Sequence, residues 1–246
     1  MTRTALVTGG SGGIGSAIVA ALAAAGYRVA VGYHHGSGRA QDLVAALAGS
    51  GHLALATPVT DTAALARATE QLSTEFGQLS VLVNGAGITR PVPHDDLDGL
   101  DDELIDRIFA TNWRGAFAAI RAVLPLLHAD PAPVVVNLSS VAGVTGQGSN
   151  VAYCASKAAL DSMTRSLARA LAPRVRVVSV SPGWVLGEYA AQMPVEVLDR
   201  QRAGTPLGRL ATPEDVAASV LAVIEHLPMT TGAIVPVDGG RPLGTT

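Results

Sequence analysis

Short apolar segments alternate along this chain with longer segments of helical periodicity, and this alternation constrains the fold more than any other feature. The apolar segments predict strands at 4–8, Val29–Tyr33, 52–57, Leu79–Val83, Val134–Leu138, Val175–Val180 and Ile234–Val237. The segments between them predict helices at 14–25, 39–48, 61–76, 101–127, 150–172 and 212–227. Such alternation is typical of βαβ units, in which helices cover both faces of a parallel sheet. We expect one α/β domain spanning residues 1–246, a length that a single core can serve.

Composition excludes several classes of protein. Hydrophobic residues make up 48% of the chain and charged residues 15%, which excludes a disordered polyelectrolyte. The net charge of -3, with no basic face, predicts no nucleic-acid partner. Cys154 is the sole cysteine, so an intrachain disulfide is excluded. The N-terminus lacks the apolar segment of a signal peptide, and the apolar stretch Ile18–Ala25 is too short to span a bilayer. We therefore expect a cytoplasmic protein with no membrane partner.

A glycine-rich segment follows the first predicted strand and opens the first predicted helix. Its sequence, Thr-Gly-Gly-Ser-Gly-Gly-Ile-Gly, occupies residues 8–15. Glycines allow a tight turn and close approach of a ligand, and the helix N-terminus offers N–H groups to a pyrophosphate. An ordinary glycine-rich turn is the alternative, but the strand before it and the helix after it favour a nucleotide site. The candidate cofactor-binding residues here are Gly9, Ser11, Gly12, Gly13, Ile14 and Gly15.

Ser140, Tyr153 and Lys157 are the candidate catalytic residues. Ser140 follows a predicted strand, and Tyr153 and Lys157 share one face near the start of the next predicted helix. A nearby ammonium lowers the pKa of a tyrosine, which is ordinarily about 10, so that the hydroxyl suits proton exchange with a carbonyl oxygen. Lys157 is the sole lysine beside 16 arginines, and lysine alone offers an ammonium whose pKa moves readily. The alternative is a Tyr and a Lys on an exposed helix face, which the glycine loop and the sole lysine disfavour.

These motifs together resemble the short-chain dehydrogenase/reductase family over almost the whole chain, and most closely the 3-oxoacyl-[acyl-carrier-protein] reductase group. The glycine spacing is Gly-x-x-x-Gly-x-Gly after Thr8, and Tyr-x-x-x-Lys follows Ser140 by thirteen residues. Residues 84–87, Asn-Gly-Ala-Gly, are similar to the family's Asn-Asn-Ala-Gly. The resemblance implies a doubly wound Rossmann-type fold with a seven-stranded parallel sheet of order 3-2-1-4-5-6-7. It also implies a nicotinamide dinucleotide at the carboxyl edge of that sheet.

The resemblance implies further site residues. Asn112 corresponds to the asparagine that completes a catalytic tetrad by holding a water of a proton relay. Pro182 and Gly183 correspond to the loop beside the nicotinamide, where Gly187 replaces the usual threonine. The remaining implied cofactor-binding residues are Tyr33, His34, His35, Val59, Asn84, Gly85, Ala86, Gly87, Tyr153, Lys157 and Val185.

The end of the second predicted strand bears on the choice between NAD and NADP. Residues 32–39 contain no carboxylate to hold a ribose 2′-hydroxyl, and they contain donors that suit a 2′-phosphate. Against NADP, Gly12 lies where NADP-using relatives often carry a basic residue, and Pro58 replaces an adenine-contacting Asp. We expect NADP(H) to be preferred over NAD(H).

No metal site is expected. His34 and His35 lack further ligands nearby in sequence. The acidic segment 95–103 lacks the spacing of a calcium loop, and helix N-terminal charge explains it better.

The expected function is the NADP-dependent interconversion of a ketone and a secondary alcohol, with acyl carrier protein or coenzyme A as the potential bearer of the substrate. Two alternatives stay open: a non-catalytic dinucleotide sensor or scaffold, and an alcohol or sugar dehydrogenase working in the oxidative direction.

The irregular segment 183–211 suits a lid over the substrate. The resemblance also implies a homotetramer, and the helix at 150–172 is apolar around more of its circumference than one buried face needs.

Overall fold

The computed structural model describes residues 2–187 and 190–243. Its strands are β1 (Thr4–Thr8), β2 (Arg28–Tyr33), β3 (Leu53–Ala56), β4 (Val81–Asn84), β5 (Val134–Leu138), β6 (Arg176–Pro182) and β7 (Ile234–Val237). All neighbouring strands pair in parallel, and the sheet order is β3-β2-β1-β4-β5-β6-β7. This confirms the predicted fold class and strand order.

Helices lie on both faces of the sheet. They are α1 (Gly13–Ala24), α2 (Ser37–Ala46), α3 (Thr62–Phe76), α4 (Asp102–Phe109), α5 (Ala116–His128), α6 (Ala142–Thr145), α7 (Val151–Leu171), α8 (Val195–Ala203) and α9 (Pro213–Glu225). A π-helical segment, Ala110–Gly115, joins α4 to α5. Short 3₁₀ turns occur at Ala190–Gln192 and Arg241–Leu243. Within the described residues, no helix has both the length and the apolar character needed to cross a membrane.

Two apolar cores lie on opposite faces of the sheet. One core packs α1 and α9 against the sheet, and the other packs α3, α5 and α7. β1, β4 and β5 are buried at every position, because helices cover both of their faces. Continuous apolar runs of Val and Leu are what such strands require, and this explains why the sequence predicted them well.

The strand register places the candidate site at one edge of the sheet. Thr8 pairs with Asn84, Asn84 pairs with Asn137, and Leu138 pairs with Val180. The loops that follow β1, β4, β5 and β6 therefore open side by side at the carboxyl edge, where open α/β sheets bind ligands.

The structure differs from the predicted elements in the long helix and in the lid segment. The predicted helix 101–127 is interrupted by the π-helical segment, and the predicted irregular segment 183–211 contains α8. Residues 188 and 189 of that segment lie outside the described residues. α8 buries none of its residues, so it has no apolar stripe from which a helix could be recognised.

Candidate active site

The glycine loop after β1 forms a closely packed backbone cradle. Gly9 has a φ of 66°, and a Cβ placed on it would lie 2.9 Å from the backbone N of Ala86. A Cβ on Gly15 would lie 2.1 Å from the carbonyl oxygen of Gly9, so no larger residue fits there. Gly12 provides no side-chain cap to α1, whose first-turn N–H groups lack intrahelical acceptors. Ser11, Gly12, Gly13 and Ile14 are partly exposed beside these amides. This cradle fits the pyrophosphate of a dinucleotide.

The loop after β4 is tied to the end of β1. Thr8 Oγ1 accepts hydrogen bonds from the backbone N of Gly85 at 3.2 Å and of Ala86 at 3.3 Å. A Cβ on Gly85 would lie 2.8 Å from the carbonyl oxygen of Thr8. Glycine in place of the family's second asparagine therefore allows the two loops to approach closely.

Asn84 lies beneath this loop in a buried polar network. Its Nδ2 donates to Asn137 Oδ1 at 2.8 Å, and Asn137 Nδ2 donates to Thr164 Oγ1 at 2.8 Å. The Oδ1 atom of Asn84 is buried and has no hydrogen-bond partner among the described residues. The network links β4, β5 and α7 directly below the candidate site.

Lys157 is buried on α7 beside Tyr153. Its side chain is 7% exposed, and Nζ donates to the carbonyl oxygen of Leu138 at 2.8 Å and lies 5.7 Å from the centre of the Tyr153 ring. Burial lowers the pKa of Lys157 to about 8, and the charge of Asp161 partly opposes that shift. An ammonium at this distance stabilises a phenolate at Tyr153 relative to the phenol.

Three hydrogen bonds fix the first turn of α7 around Tyr153, two to its backbone and one from the helix cap to the loop after β4. Asn150 caps the helix, and its Oδ1 accepts from the backbone N of Tyr153 at 2.7 Å. Asn150 Nδ2 donates to the carbonyl oxygen of Arg90 at 2.8 Å. Ser156 Oγ donates to the carbonyl oxygen of Tyr153 at 2.8 Å. The position of the tyrosine is therefore coupled to the loop after β4.

Ser140 lies in the turn between β5 and α6. Its Oγ accepts a hydrogen bond from the backbone N of Ala142 at 3.2 Å. A Cβ placed on Gly148 would lie 3.0 Å from Ala142 Cβ and 3.2 Å from Tyr153 Cδ1. The turn that carries Ser140 and the ring of Tyr153 therefore border the same small region of the site.

Asn112 lies in the π-helical segment and is 1% exposed. Its Oδ1 accepts from the backbone N of Ile88 at 2.8 Å, and its Nδ2 donates to the carbonyl oxygen of Ile88 and to Ser156 Oγ, each at 3.1 Å. A Cβ on Gly87 would lie 3.4 Å from Asn112 Oδ1 and 3.8 Å from Lys157 Nζ. The structure thus brings Asn112 and Lys157 together at Gly87. Single-turn π-helical segments are often found at functional sites.

The predicted adenosine-side residues lie at the ends of β2 and β3. Tyr33 is half-buried, and the exposed rings of His34 and His35 lie in contact, with their centres 3.8 Å apart and their planes tilted by 33°. Val59 is buried, and a Cβ on Gly115 would lie 2.6 Å from Val59 Cγ2. Val59 therefore packs against the π-helical segment as well as lying near the end of β3.

The predicted nicotinamide-side residues follow β6. The carbonyl oxygen of Pro182 accepts from the backbone N of Val141 at 3.0 Å, and Gly183 N donates to the carbonyl oxygen of Val237 at 3.0 Å. Val185 forms an isolated parallel bridge with Ala211. The two ends of the segment 183–211 are thus joined at its base.

Sequence reasoning missed several polar residues of the site: Thr57, Asn150, Ser156 and Asp161. Asn150 could have been found, because an Asn three residues before a helical Tyr has the spacing of an N-cap. Asp161 could have been found as the carboxylate one turn after Lys157. Thr57 Oγ1, at the end of β3, is buried without a hydrogen-bond partner among the described residues. No sequence signal identifies it. Cys154 is buried on α7.

Metal-ligating side chains are scattered. Within residues 2–187 and 190–243, no group of three or more His, Cys, Asp or Glu side chains is placed to hold a metal ion. The acidic segment 95–103 ends instead in a helix cap, in which Asp101 Oδ1 accepts from the backbone N of Leu104 at 2.7 Å.

Comparisons with known proteins agree with this fold. A family model described as enoyl-(acyl carrier protein) reductase matches residues 9–241. The chain is 33% identical over 244 residues to a 3-oxoacyl-[acyl-carrier-protein] reductase of Staphylococcus aureus, covering 98% of each chain. It is 36% identical over 242 residues to cis-4-hydroxycyclohexanecarboxylate dehydrogenase of Sinomonas cyclohexanicum, covering 97% of this chain and 96% of the relative.

Solved structures show the same architecture. The 3-ketoacyl-(acyl-carrier-protein) reductase of Brucella melitensis, solved in complex with NADH, superposes with a TM-score of 0.89 at 28% identity, covering 97% of this chain and 98% of that one. The fold and these relatives define a Rossmann-type oxidoreductase that depends on NAD(P). The chain belongs to the short-chain dehydrogenase/reductase family.

Proposed function

We propose that the protein is an NADP-dependent ketoreductase that converts a ketone to a secondary alcohol. The observation that carries the proposal is the buried ammonium of Lys157 beside the ring of Tyr153, at the sheet edge that also holds the glycine cradle. Burial of an ammonium is unfavourable, so a lysine retained there indicates a functional charge.

Each side chain has a defined part in the proposed reaction. A bound reduced nicotinamide supplies the hydride. Tyr153 donates its hydroxyl proton to the carbonyl oxygen of the substrate as that oxygen gains negative charge. Ser140 holds the same oxygen through its hydroxyl. Lys157 stabilises the phenolate that remains on Tyr153, and Asn112, beside Lys157 at Gly87, lies on the route by which a proton returns.

A cofactor-oxidation assay tests the proposal. The purified chain is mixed with NADPH and a panel of ketones, β-ketoesters and 3-oxoacyl thioesters of coenzyme A and acyl carrier protein, and absorbance at the reduced nicotinamide band is followed. A ketoreductase is supported if the wild type turns over any member of the panel and the variant Tyr153→Phe does not. Cofactor binding without turnover of the whole panel favours a dinucleotide sensor or scaffold instead.

We infer that the substrate carries an apolar chain. Exposed large hydrophobic side chains stand on the segments after β4, β5 and β6: Ile88 in the loop after β4, Val144 on α6, and Leu186 and Leu207 within the segment 183–211. The segments after β4 and β5 contact the first turn of α7 through Asn150 and Gly148. We infer that the segment 183–211 closes over the substrate as a lid. Such a rim favours an acyl chain, carried on coenzyme A or acyl carrier protein, over a sugar.

The relative from Sinomonas cyclohexanicum favours a second candidate, an alcohol dehydrogenase working in the oxidative direction. The same site serves that reaction, because a phenolate at Tyr153 accepts the proton of an alcohol. Initial rates in both directions, measured at one pH with matched ketone and alcohol pairs, separate the two candidates.

The end of β2 supports NADP as the cofactor. Residues 33–39 contain no carboxylate that would repel a 2′-phosphate. Gly36 caps α2 in the left-handed region, and a Cβ on it would lie 3.4 Å from Arg39 Nε. The guanidinium of Arg39 is thus folded back toward the loop that carries His34 and His35, which gives this edge donors for a phosphate.

NADPH is expected to bind the wild type at least about tenfold more tightly than NADH, a difference of about 1.4 kcal/mol. The variant His34→Asp should reverse that preference, because its carboxylate repels the 2′-phosphate and accepts from a 2′-hydroxyl. Dissociation constants from nicotinamide fluorescence test both statements. His34→Asn is the matched control, since it removes the imidazole without adding charge. Tighter binding of NADH by the wild type would refute the preference.

We also propose a homotetramer. Trp113 and Phe117 are each 37% exposed and stack with ring centres 6.3 Å apart, next to α7. α7 presents Val151, Ala155 and Ser162 on its exposed side, where small residues permit close approach of a second helix. Four like subunits usually assemble with dihedral symmetry.

Light scattering at micromolar concentration should give a mass about four times the 24.9 kDa of one chain. The variant Ala155→Arg should halve that mass, because the arginine is too large for closely packed helices, whereas Ala46→Arg on α2 should leave it unchanged. A wild-type mass near 24.9 kDa contradicts the tetramer.

A further inference from the structure

Asp161 is a buried carboxyl group that the proposed reaction does not use. It lies on α7, its side chain is 2% exposed, and neither carboxyl oxygen has a hydrogen-bond partner among the described residues. A buried acid without hydrogen bonds is unfavourable unless a nearby charge compensates it. Its position therefore calls for a cation within reach.

Lys157 is the cation that the helix geometry places beside it. Residues four apart on a helix have Cβ atoms about 5–6 Å from each other on the same face. Lys157 is itself buried, and among the described residues its ammonium has one hydrogen-bond acceptor, the carbonyl oxygen of Leu138. One neutral acceptor is little compensation for an ammonium, which has three donors. The Asp161 carboxylate thus lacks a cation, the Lys157 ammonium lacks an anion, and each group supplies the charge that the other needs.

Other charged groups around α7 do not compete for this pair. Those on the elements packed against α7, and on α7 itself, are exposed to solvent: Asp102, Glu103, Asp106, Arg107, Arg114, Arg121, His128, Arg165 and Arg169. Arg176 on β6 is half-buried, but its guanidinium donates to the carbonyl oxygens of Val223, Ile224, Leu227 and Thr230. The titratable neighbours on the same helix are Tyr153 and Cys154.

We propose that Asp161 is a positioning residue for the catalytic lysine: its carboxylate keeps the buried Lys157 ammonium charged, and through it sets the pH range in which Tyr153 exchanges protons. The direction of the effect agrees with the electrostatics of the site, since the charge of Asp161 raises the pKa of Lys157 against the lowering by burial. The effect on turnover rests on the proposed function, whereas the effect on the charge of Lys157 does not.

The sole lysine of the chain makes a direct measurement possible. Growth with lysine labelled with ¹³C at the ε carbon gives a single side-chain signal, that of Lys157, whose chemical shift reports its charge. The signal is titrated from pH 6 to pH 11 in the full-length wild type, in Asp161→Asn and in Asp161→Ser. Asp42→Asn is the matched control, because it removes an equal charge from the exposed side of α2.

Both neutral variants are expected to move the Lys157 titration to lower pH, by about one pH unit, while the control leaves it unchanged. In the reduction assay, the alkaline loss of kcat should move in the same direction. The ratio of kcat at a pH above that limb to kcat at pH 6.5 should therefore be about tenfold lower in the neutral variants than in the wild type. A variant that merely loosened the fold would lower Tm without moving the titration.

An unchanged Lys157 titration in both neutral variants would overturn the proposal, because it would mean that Asp161 carries no charge felt by the ammonium. A shifted titration in a protein that turns over no member of the ketone panel would support the electrostatic coupling and count against the ketoreductase function. The two proposals can therefore fail separately.

Discussion

Replacement of Tyr153 by phenylalanine is expected to lower kcat for carbonyl reduction by at least about 10³-fold, at the upper part of the range seen when a general acid is removed. The ring of Tyr153 lies 5.7 Å from the Lys157 ammonium, and the variant deletes only the hydroxyl that delivers the proton. The backbone of α7 should not move, since Asn150 and Ser156 hold residue 153 through its main chain. Saturation kinetics with the best ketone of the panel measures the loss.

Binding measurements separate this effect from a general defect. The dissociation constant for NADPH in Tyr153→Phe should stay within about threefold of the wild type, because the glycine cradle is untouched. Tyr27→Phe is a matched control, since it removes the same atom from a residue at the opposite edge of the sheet, where the hydroxyl contacts Arg3 and Glu225. Near-wild-type kcat in Tyr153→Phe would remove the tyrosine from the mechanism.

The sequence was informative wherever one physical requirement determines the residue type. Strands covered on both faces need uninterrupted apolar runs, so β5 was predicted at its observed bounds, Val134–Leu138. Gly9 and Gly15 are positions where a Cβ would collide with backbone, and their spacing therefore marked the cradle. Tyr153 and Lys157 share a helix face because of their separation alone, and the structure places them side by side.

Other features depend on contacts between distant segments and could not be predicted. The π-helical segment around Asn112 has no local signature, because it is held by hydrogen bonds to Ile88 in the loop after β4. Asn84 was expected at the cofactor, but its amide is directed to Asn137 on the neighbouring strand, a pairing that only the register reveals. α8 lacks a buried face, so neither periodicity nor burial distinguishes it from a loop.

The double variant Lys157→Met/Asp161→Asn should abolish turnover and at the same time stabilise the fold at neutral pH. The pKa of Lys157 is about 8 in the folded chain and 10.5 for an ordinary lysine, so the folded state opposes protonation of this side chain. Between these two values the unfolded chain binds more protons, and wild-type stability therefore rises with pH across that window. Below about pH 8 the full penalty is present, which amounts to about 3 kcal/mol at about 1.4 kcal/mol per pKa unit. Methionine of similar length avoids this penalty and packs in the same space. Asparagine in place of Asp161 avoids leaving a buried carboxylate without its cation.

Urea unfolding at fixed protein concentration checks the stability statement at pH 7 and at pH 10. The double variant should be more stable than the wild type at pH 7, and the difference should shrink as the pH approaches 10, because the folded wild type has by then lost the unfavourable lysine proton. Lys157→Arg should restore neither kcat nor the pH dependence, since a guanidinium is larger than an ammonium and stays charged throughout. Equal stability of the wild type and the double variant at pH 7 would contradict a charged, buried lysine. A stabilised but inactive variant would mean that the chain tolerates an unfavourable charge at Lys157, its sole lysine, because proton exchange at Tyr153 requires it.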